Sequence, residues 1–376
     1  MTDTTTAPTA AATTTEAISR WPVFERIDFT TSDGIKLNFR RLRPREGTDP
    51  KGPVLMVHGA GMRWELFRAP IDPDEDVTLP VKLSDEGYDV WLLNWRASMD
   101  VPANQWTLDD AAVIDYPEAV TVMQSVLRRE RRSTNGGNQK IKAIVHCQGS
   151  MAFMMSICSD LLRDVSVVIA NSVGLHPIMP RPTWVKLPLA VNTLGRFIPY
   201  FNPQWGINAP GFWPKVIDWT VRLTHHECDN AVCKHASFTY GFGFPAMWFH
   251  ENLNAETHEW LKGQFGPVPI SMFRQTADCA AAGQVVSTGK YPCLPALFAT
   301  EKPKTHARFV LMTGELNHTF STQAMARTFE YFERHFPGRN TYQKFPGYGH
   351  MDVWVGKNAH NDVFPFIIDE LNRPDE

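Results

Sequence analysis

The sequence has no long apolar run and no strongly basic segment. No stretch of about 18 apolar residues occurs in the 376-residue chain, so no transmembrane segment is predicted. Lysine and arginine total 37 and aspartate and glutamate total 40, and no basic block is long enough to follow a phosphate backbone. We therefore expect neither a membrane span nor a nucleic-acid partner.

Cysteine is also scarce, with six residues scattered over the chain. A few scattered cysteines in a chain without an export signal are typical of proteins in a reducing compartment. Residues 1–20 are rich in Thr and Ala and lack the charged and apolar regions of a signal peptide, so we expect a disordered tail. These features predict a cytoplasmic globular protein, and they leave the oligomeric state open.

Buried-type strands are predicted on both sides of a long irregular region. Alternating segments at 24–31 and 35–42 flank a Ser-Asp-Gly turn, which predicts a hairpin. Continuous Val, Ile and Leu runs with helical patterns between them predict a mostly parallel sheet covered by helices on both faces. The predicted later elements are strands at 54–57, 88–93, 141–146, 165–170, 307–312 and 342–345, and helices at 321–335 and 361–371.

The irregular region is rich in Trp, Pro, Phe and Gly and interrupts the α/β pattern. We predict one α/β core formed by residues 21–176 and 306–376, with a cap inserted at 177–305. The cap aromatics predict an apolar lid over a hydrophobic acyl substrate, although most of them are expected to form the core of the cap itself. They are Trp184, Trp205, Phe212, Trp213, Trp219, Phe238, Tyr240, Phe242, Phe244, Trp248 and Trp260.

The segment 141–150 predicts a nucleophile at Cys147. A strand ends at His146 and a helix with small residues begins near Gly149, so the intervening side chain would stand on a sharp strand-to-helix bend. The amino end of the helix would favour the thiolate of Cys147, which is the reactive form of cysteine. The alternative is an inert buried thiol, which is common for cysteine.

Two further segments match the oxyanion hole and the catalytic base that such a nucleophile needs. The glycine-containing turn at 58–61 follows a strand, and the N–H groups of Ala60 and Gln148 are the expected oxyanion-hole donors. His350 lies in a Gly-Tyr-Gly-His turn after the last predicted strand, which is the position of a catalytic base. The order of nucleophile, acid and base along the chain predicts the α/β-hydrolase fold.

The third triad member is expected after the strand at 307–312, and the residue there is Asn317. A thiolate can itself balance an imidazolium, so a neutral amide that only orients the ring is chemically consistent with cysteine, as in the papain-like proteases. Two carboxylates remain alternatives. Glu315 could reach the histidine from the same loop as Asn317. Asp352 could support the histidine indirectly, but we expect it to stabilise the loop that carries His350.

Three motifs resemble the acid lipase family of α/β hydrolases, and also bacterial hydrolase modules akin to those fused to cholesterol-oxidase-type flavoproteins. They are the strand GYDVWLLNWRA at 87–97, the elbow VHCQGS at 145–150 and the segment HMDVWVGKNA at 350–359. The likeness covers residues 24–176 and 306–372. It implies that the Ser, Asp and His of that family correspond to Cys147, Asn317 and His350, and that Val145 replaces an elbow glycine.

Because two of the three triad positions differ from that family, lipase activity is not carried over directly. A cysteine at such an elbow is similar to dienelactone hydrolases and polyhydroxyalkanoate synthases. We therefore predict a hydrolase that cleaves a hydrophobic ester, lactone or thioester through an acyl-cysteine. The alternatives are an acyltransferase that uses the same intermediate and a non-catalytic binding protein that retains the cavity.

One cluster in the cap is compatible with zinc. Cys228 and Cys233 have a C-x4-C spacing and are flanked by His225, His226 and His235. Only one such cluster occurs in the sequence, and no second cysteine pair accompanies it. We therefore expect these cysteines to be buried residues of a cap helix rather than metal ligands. The sequence therefore predicts no metal and no cofactor.

Overall fold

A computed structural model describes residues 22–130, 139–243 and 245–374, and the predicted tail at 1–20 lies outside the described residues. An eight-stranded sheet forms its centre, and a two-stranded sheet lies in the cap. The strands are β1 (Glu25–Thr30), β2 (Lys36–Leu42), β3 (Gly52–Val57), β4 (Tyr88–Asn94), β5 (Ile141–His146), β6 (Val165–Asn171), β7 (Tyr200–Phe201), β8 (Val268–Pro269), β9 (Arg308–Gly314) and β10 (Thr341–Phe345).

The central sheet has the order β1-β2-β4-β3-β5-β6-β9-β10. β1 pairs antiparallel with β2, and β2 pairs antiparallel with β4. All the remaining pairs, from β4 to β10, are parallel. The carboxyl ends of the parallel strands therefore meet at one edge, where the loops that build sites in such sheets are found.

Helices and short 3-10 turns cover the sheet. The helices are α1 (Leu79–Asp85), α2 (Leu108–Asp110), α3 (Tyr116–Glu130), α4 (Gln148–Cys158), α5 (Arg181–Thr193), α6 (Phe212–Thr224), α7 (Ala231–Tyr240), α8 (Ala255–Trp260), α9 (Ile270–Ala282), α10 (Thr322–His335), α11 (Asp352–Val355), α12 (Ala359–Asp362) and α13 (Phe364–Asn372). A π-helical turn, Ala111–Asp115, leads into α3. Within the described ranges, no helix combines the length and hydrophobicity that crossing a membrane requires.

The central parallel strands are largely apolar because both faces of the sheet are buried there, whereas the edge strands β1 and β10 carry polar and exposed residues. In β3, Val54 and Met56 belong to one hydrophobic cluster, whereas Leu55 and Val57 belong to the cluster on the opposite face. Alternate side chains of a strand point to opposite faces, so a strand buried on both sides carries no polar alternation. The predicted parallel sheet with helices on both faces is confirmed.

The strands and the hairpin predicted from the sequence are confirmed, with ends that differ by a residue or two. The last helix predicted near 361–371 is confirmed as α13, although α13 begins three residues later and the short helix α12 precedes it. Pro365 stands in the first turn of α13. Proline is accommodated there because the first N–H groups of a helix have no acceptor within it.

The elements α5 to α9 and the small sheet of β7 and β8 lie between β6 and β9 in the chain. Cap residues such as Leu187 and Phe273 belong to the same hydrophobic cluster as the core residue Met151 of α4. The cap therefore packs directly on the carboxyl end of the sheet. Its limits at 177 and 305 remain a prediction.

Candidate active site

Cys147 occupies the sharp bend between β5 and α4. Its φ and ψ angles are 55° and −128°, a combination that residues other than glycine seldom adopt. The strand ends at His146 and the 11-residue helix begins at Gln148. A β-carbon on Gly149 would come within 2.4 Å of the His58 carbonyl oxygen, so glycine is required for this close approach. A strained bend of this kind presents a nucleophile above a sheet.

The turn at residues 58–61 lies against the same bend. A β-carbon on Gly59 would lie 3.1 Å from Cβ of Cys147. The backbone N–H of Gln148 interacts with the sulfur, and in the described part of the chain no acceptor is bonded to the Ala60 N–H. Two N–H donors beside a nucleophile can stabilise the oxyanion that forms during acyl transfer.

His350 lies in the loop between β10 and α11 and is completely buried. Its Nδ1 atom is 3.3 Å from Oδ1 of Asn317, while Nε2 has no hydrogen-bond partner among the described residues. The amide oxygen of Asn317 also accepts the backbone N–H groups of Thr319 and Phe320. Asn317 therefore holds the imidazole through one nitrogen and leaves the other available.

The sulfur of Cys147 and ring nitrogens of His350 and His146 all lie within 4.8 Å of one another. The rings of His146 and His350 are 4.8 Å apart between centroids. Nδ1 of His146 is hydrogen-bonded to the side-chain amide of Asn171 at 2.9 Å, which fixes that ring. The structure thus brings the predicted nucleophile, base and third member together, with His146 as an additional neighbour.

In this closed arrangement, burial shifts the pKa values of Cys147 and His350 in the directions that oppose a resting pair of thiolate and imidazolium. Burial raises the pKa of Cys147 to about 12, and the opposing effect of the Gln148 N–H is smaller. Burial also lowers the pKa of His350 to about 3. Removing a charged group from water disfavours its charged form, so burial favours the neutral thiol and the neutral imidazole.

The two alternative carboxylates do not contact the imidazole of His350. Glu315 is exposed and pairs with Lys344 at 2.8 Å, which lowers the pKa of Glu315. Asp352 is buried, and its Oδ1 accepts the backbone N–H of Gly349 at 2.7 Å. Its Oδ2 accepts the side-chain amide of Asn252 at 2.5 Å. Asp352 therefore connects the histidine loop to the cap.

A cavity of about 40 Å³ lies over the Cys147 sulfur, between the core and the cap. Its apolar lining includes Met62, Leu187, Met247 and Phe320. This volume accommodates a few water molecules, since one needs on the order of 10–15 Å³. It is far below the roughly 300 Å³ of a typical ligand site, so a large substrate requires movement of the cap.

Most of the cap aromatics named from the sequence lie away from the cavity, although not all of them are buried in the core of the cap as expected. Of the cap aromatics named from the sequence, and within the residues that the structure describes, Tyr240 alone lines the cavity. Trp184, Phe212, Trp219 and Phe242 are exposed, whereas Trp248 is buried away from the cavity. Phe244 lies outside the described residues. Aliphatic and methionine side chains supply most of the apolar lining instead.

The arrangement of the chain is shared with enzymes of several activities. A soluble variant of monoglyceride lipase from Saccharomyces cerevisiae superposes with a TM-score of 0.52 and 15% identity, covering 94% of this chain and 96% of that chain. An esterase from Thermogutta terrifontis superposes with a TM-score of 0.53 and 13% identity, covering 93% of this chain and 100% of the esterase. An epoxide hydrolase from Vigna radiata superposes with a TM-score of 0.53 and 15% identity, covering 93% of this chain and 97% of the epoxide hydrolase. This chain has the α/β-hydrolase fold.

Curated proteins similar to this chain are lipases at low identity. A probable lipase of Schizosaccharomyces pombe is 22% identical in an alignment of length 365, which covers 91% of this chain and 76% of the relative. Triacylglycerol lipase 2 of Arabidopsis thaliana is 27% identical in an alignment of length 213, which covers 49% of this chain and 46% of the relative, so the alignment spans less than half of that lipase. No family model matches the chain.

Two residues of the site, His146 and Lys186, were not predicted from the sequence as active-site groups, and Tyr240 was named only among the cap aromatics. His146 adjoins the triad, and the sequence offers a signal for it because it directly precedes the nucleophile. Lys186 and Tyr240 line the cavity from the cap. Burial lowers the pKa of Lys186 to about 8, and its ammonium donates to the Phe238 carbonyl at 2.7 Å. No local motif marks these two cap residues.

Two clusters in the described part of the chain could hold a metal ion. One is the active-site group of His146, Cys147 and His350, which offers one sulfur and two imidazoles. The other lies in the cap and consists of Cys228, Cys233, His250 and His258. Imidazole and thiolate ligands in this combination are those that zinc prefers.

Proposed function

We propose that the protein is a hydrolase that cleaves a hydrophobic carboxylic ester, lactone or thioester through an acyl-cysteine at Cys147. The observation that carries the proposal is a thiol on a strained elbow, within 4.8 Å of a His350 ring nitrogen and facing a small apolar cavity. The lipase and esterase relatives support ester hydrolysis as the general reaction. The fold alone does not, because one fold carries many chemistries.

In the acylation step, Cys147 attacks the carbonyl carbon while its thiol proton moves to Nε2 of His350. The carbonyl oxygen becomes an oxyanion that the N–H groups of Ala60 and Gln148 would stabilise. Collapse of this intermediate expels the leaving group, which takes the proton from His350. The products of the step are an alcohol or thiol and an acyl-thioester on Cys147.

In the deacylation step, His350 removes a proton from a water molecule, which attacks the thioester carbonyl. Protonation of the departing sulfur by His350 then restores the thiol. The neutral resting pair makes the transfer of the thiol proton part of the reaction itself. It also suits Asn317, because a neutral imidazole at rest needs an acceptor at Nδ1 and no compensating charge.

The expected substrate has an apolar acyl or alcohol group. Methionine, leucine and phenylalanine side chains dominate the cavity lining, and the charged group Lys186 is occupied by the carbonyls of Phe238 and Gly241. Because the closed cavity has a volume of only about 40 Å³, entry of such a substrate requires opening of the contacts between cap and core. Transition-state contacts would then form as the cap closes.

The decisive test is a panel of p-nitrophenyl esters and acyl thioesters of graded chain length. Wild type should hydrolyse them with a burst of released alcohol, and intact-mass analysis should detect the acyl adduct on the peptide that contains Cys147. Cys147→Ala should abolish turnover, whereas Cys158→Ala, which removes another buried thiol on the same helix, should preserve it. Full activity of Cys147→Ala would exclude the mechanism.

The same panel distinguishes hydrolysis from the two alternative functions. An acyltransferase would pass the acyl group to an added alcohol, amine or thiol in preference to water, so the ratio of transfer product to free acid is measured. A non-catalytic binding protein would bind the esters without any stoichiometric release of alcohol. We expect free acid as the main product.

A further inference from the structure

Four potential metal ligands converge in the cap, away from the catalytic cysteine. Cys228 lies in the loop between α6 and α7, and Cys233 lies in the first turns of α7. His250 begins a 3-10 turn, His250–Asn252, and His258 is in α8. The ligand atoms of all four side chains lie within 4.8 Å of one another. The fold thus joins three separate segments at one point.

The spacing of these atoms fits a tetrahedral zinc ion. With Zn–S bonds of about 2.3 Å and Zn–N bonds of about 2.0–2.1 Å, the ligand atoms of such a site are separated by roughly 3.3–3.8 Å. Sγ of Cys233 and Nε2 of His250 are 3.3 Å apart, although these residues are 17 positions apart in the chain. The rings of His250 and His258 have centroids 4.7 Å apart. A contraction of at most about 1.5 Å between any two ligand atoms would complete the coordination.

Buried polar atoms at the cluster have no protein partner that would satisfy them. Nε2 of His258 is excluded from solvent and makes no hydrogen bond to any described residue. The side-chain oxygens of the partly buried Glu227, which interacts electrostatically with Cys228 and His250, also have no hydrogen-bond partner among the other described residues. Lys234 supplies some positive charge near Glu227, and a divalent cation at the cluster would supply more.

The histidines that flank the cysteines in the sequence are occupied elsewhere. His235 contacts the carboxylate of Asp218 at 3.0 Å, and Nδ1 of His225 contacts the hydroxyl of Thr224 at 2.7 Å. His226 is exposed and contacts the carbonyl of Leu223. The ligand set is therefore completed by the two distant histidines, His250 and His258, which the sequence pattern does not reveal.

We infer that Cys228, Cys233, His250 and His258 bind one zinc ion as a structural site of the cap. Four protein ligands leave no open coordination position, which distinguishes structural from catalytic zinc sites. Two thiolates neutralise the charge of the ion, and their protons are released on binding. The site would connect α7, whose last residue Tyr240 lines the active-site cavity, with the segment that follows Trp248.

The proposed site adjoins a contact between the cap and the histidine loop. Asn252, two residues after His250, donates its side-chain amide to Asp352 and to the carbonyl of Gly347 at 2.8 Å. The backbone N–H of Met351 donates to the carbonyl of Met247 at 2.8 Å. Zinc would therefore stabilise the segment on which the loop of His350 rests.

The first test measures metal in the full-length wild-type protein, purified under reducing conditions from zinc-containing medium. Plasma mass spectrometry should find one zinc ion per chain, and a thiol-modifying mercurial should release it. Replacement by cobalt should produce the visible absorption of a tetrahedral site with thiolate ligands. A folded wild type that stays metal-free after incubation with zinc would overturn the inference, as would a disulfide between Cys228 and Cys233 in its intact mass.

Substitutions at the proposed ligands and at control positions distinguish metal coordination from side-chain packing. Cys233→Ser and His258→Ala should lose zinc, whereas His258→Cys should retain it because thiolate replaces imidazole as a ligand. Cys279→Ser, at another buried cysteine of the cap, and His226→Gln should retain it. Cys147→Ala should also retain zinc, since the active-site cluster is a separate potential site. Loss of zinc from Cys147→Ala alone, with retention in His258→Ala, would assign the metal to the active site and overturn the inference.

Discussion

Oδ1 of Asn317 lies 3.3 Å from Nδ1 of His350 and accepts the backbone N–H groups of Thr319 and Phe320 at 3.0 and 3.1 Å. Two fixed donors orient the amide so that its oxygen, and not its nitrogen, faces the ring. An acceptor at Nδ1 selects the tautomer that carries its proton there. Nε2 of His350 is consequently the basic nitrogen, which is the form needed to remove a proton from Cys147.

Asn317→Asp should change the protonation of His350 more than it changes turnover. A carboxylate at hydrogen-bond distance favours the imidazolium, so the pKa of His350 should rise from about 3 by roughly one to three units. Turnover of the cysteine enzyme should change by less than about tenfold, because a thiol loses its proton readily without help from a carboxylate. NMR titration of the histidine and the pH profile of kcat measure the two effects.

The control for this variant is the same change made after Cys147→Ser. A hydroxyl is far less acidic than a thiol, and a serine nucleophile depends on the carboxylate that stabilises the imidazolium, by about 10⁴-fold in a known triad. Asn317→Asp should therefore increase the activity of the serine variant by on the order of 100-fold or more. An equally large increase in both backgrounds would indicate a serine-type triad that has lost its acid.

Alkylation of Cys147 by iodoacetamide should be slow at neutral pH and should accelerate with pH. The thiolate is the reactive form, and burial raises the pKa of this thiol to about 12. Below its pKa, the thiolate fraction rises about tenfold for each pH unit. The inactivation rate constant is measured from pH 6 upwards, and mass spectrometry identifies the modified peptide. A rate that is independent of pH between about 5 and 8 would instead reveal a resting ion pair.

Much of the fold could be predicted from the sequence because burial on both faces leaves an unmistakable pattern. The run Val54–Val57 is apolar at every position since its alternate side chains enter clusters on opposite sides of the sheet. The start of the last helix was placed three residues too early because Pro365, in the first turn of α13, was not recognised as the mark of a helix start. Local chemistry thus located the strands better than the helix boundaries.

The site was predictable where neighbouring residues carry the signal and not where distant ones meet. Cys147 and Gly149 identify the elbow within a few positions. The partners of Cys228 could not be identified, because His250 and His258 come from other segments of an irregular cap. The charge state of the Cys147 and His350 pair depends on complete burial beneath that cap, which no local pattern encodes.

Gly149→Ala should disrupt the elbow. The added methyl group would lie 2.4 Å from the His58 carbonyl oxygen, so α4 would have to move away from the turn that carries Ala60. We expect a loss of roughly 1–3 kcal/mol in the free energy of unfolding and a large loss of kcat. Gly263→Ala is the matched control, because a methyl group there meets no atom within 4 Å. Equal unfolding midpoints in urea for the two variants would refute this account of the elbow.

Leu187→Ala should shift the substrate preference towards longer acyl chains. Leu187 of α5 is buried and lines the cavity, so its truncation creates apolar space next to the sulfur. Each additional methylene that is accommodated contributes about 0.8 kcal/mol, which corresponds to roughly fourfold in kcat/KM. Leu189→Ala, on the same helix but 62% exposed, is the control and should leave the chain-length profile unchanged. An unchanged profile for both variants would contradict the assignment of this cavity to the acyl chain.

Acid should destabilise the protein before its ordinary carboxylates are protonated. Burial lowers the pKa of His58 to about 4 and that of His350 to about 3, and it lowers the pKa of His146 well below its usual value. Between these values and about 6.5 the unfolded chain binds more protons than the folded one, so stability falls as the pH falls. Two buried carboxyls, Asp115 and Asp352, oppose this trend, because burial raises their pKa to about 6 and the folded state gains protons below that pH.

The histidines should outweigh these carboxyls, because burial also lowers the pKa of His176 to about 4 and therefore adds to the effect of the other three. Urea unfolding should therefore show a lower free energy of unfolding at pH 5 than at pH 7.5. His58→Gln should reduce that difference, since it removes one buried titrating group, while the exposed His226→Gln should not. Equal stability of wild type at both pH values would mean that the imidazoles at the carboxyl edge of the sheet remain accessible to protons in the folded protein.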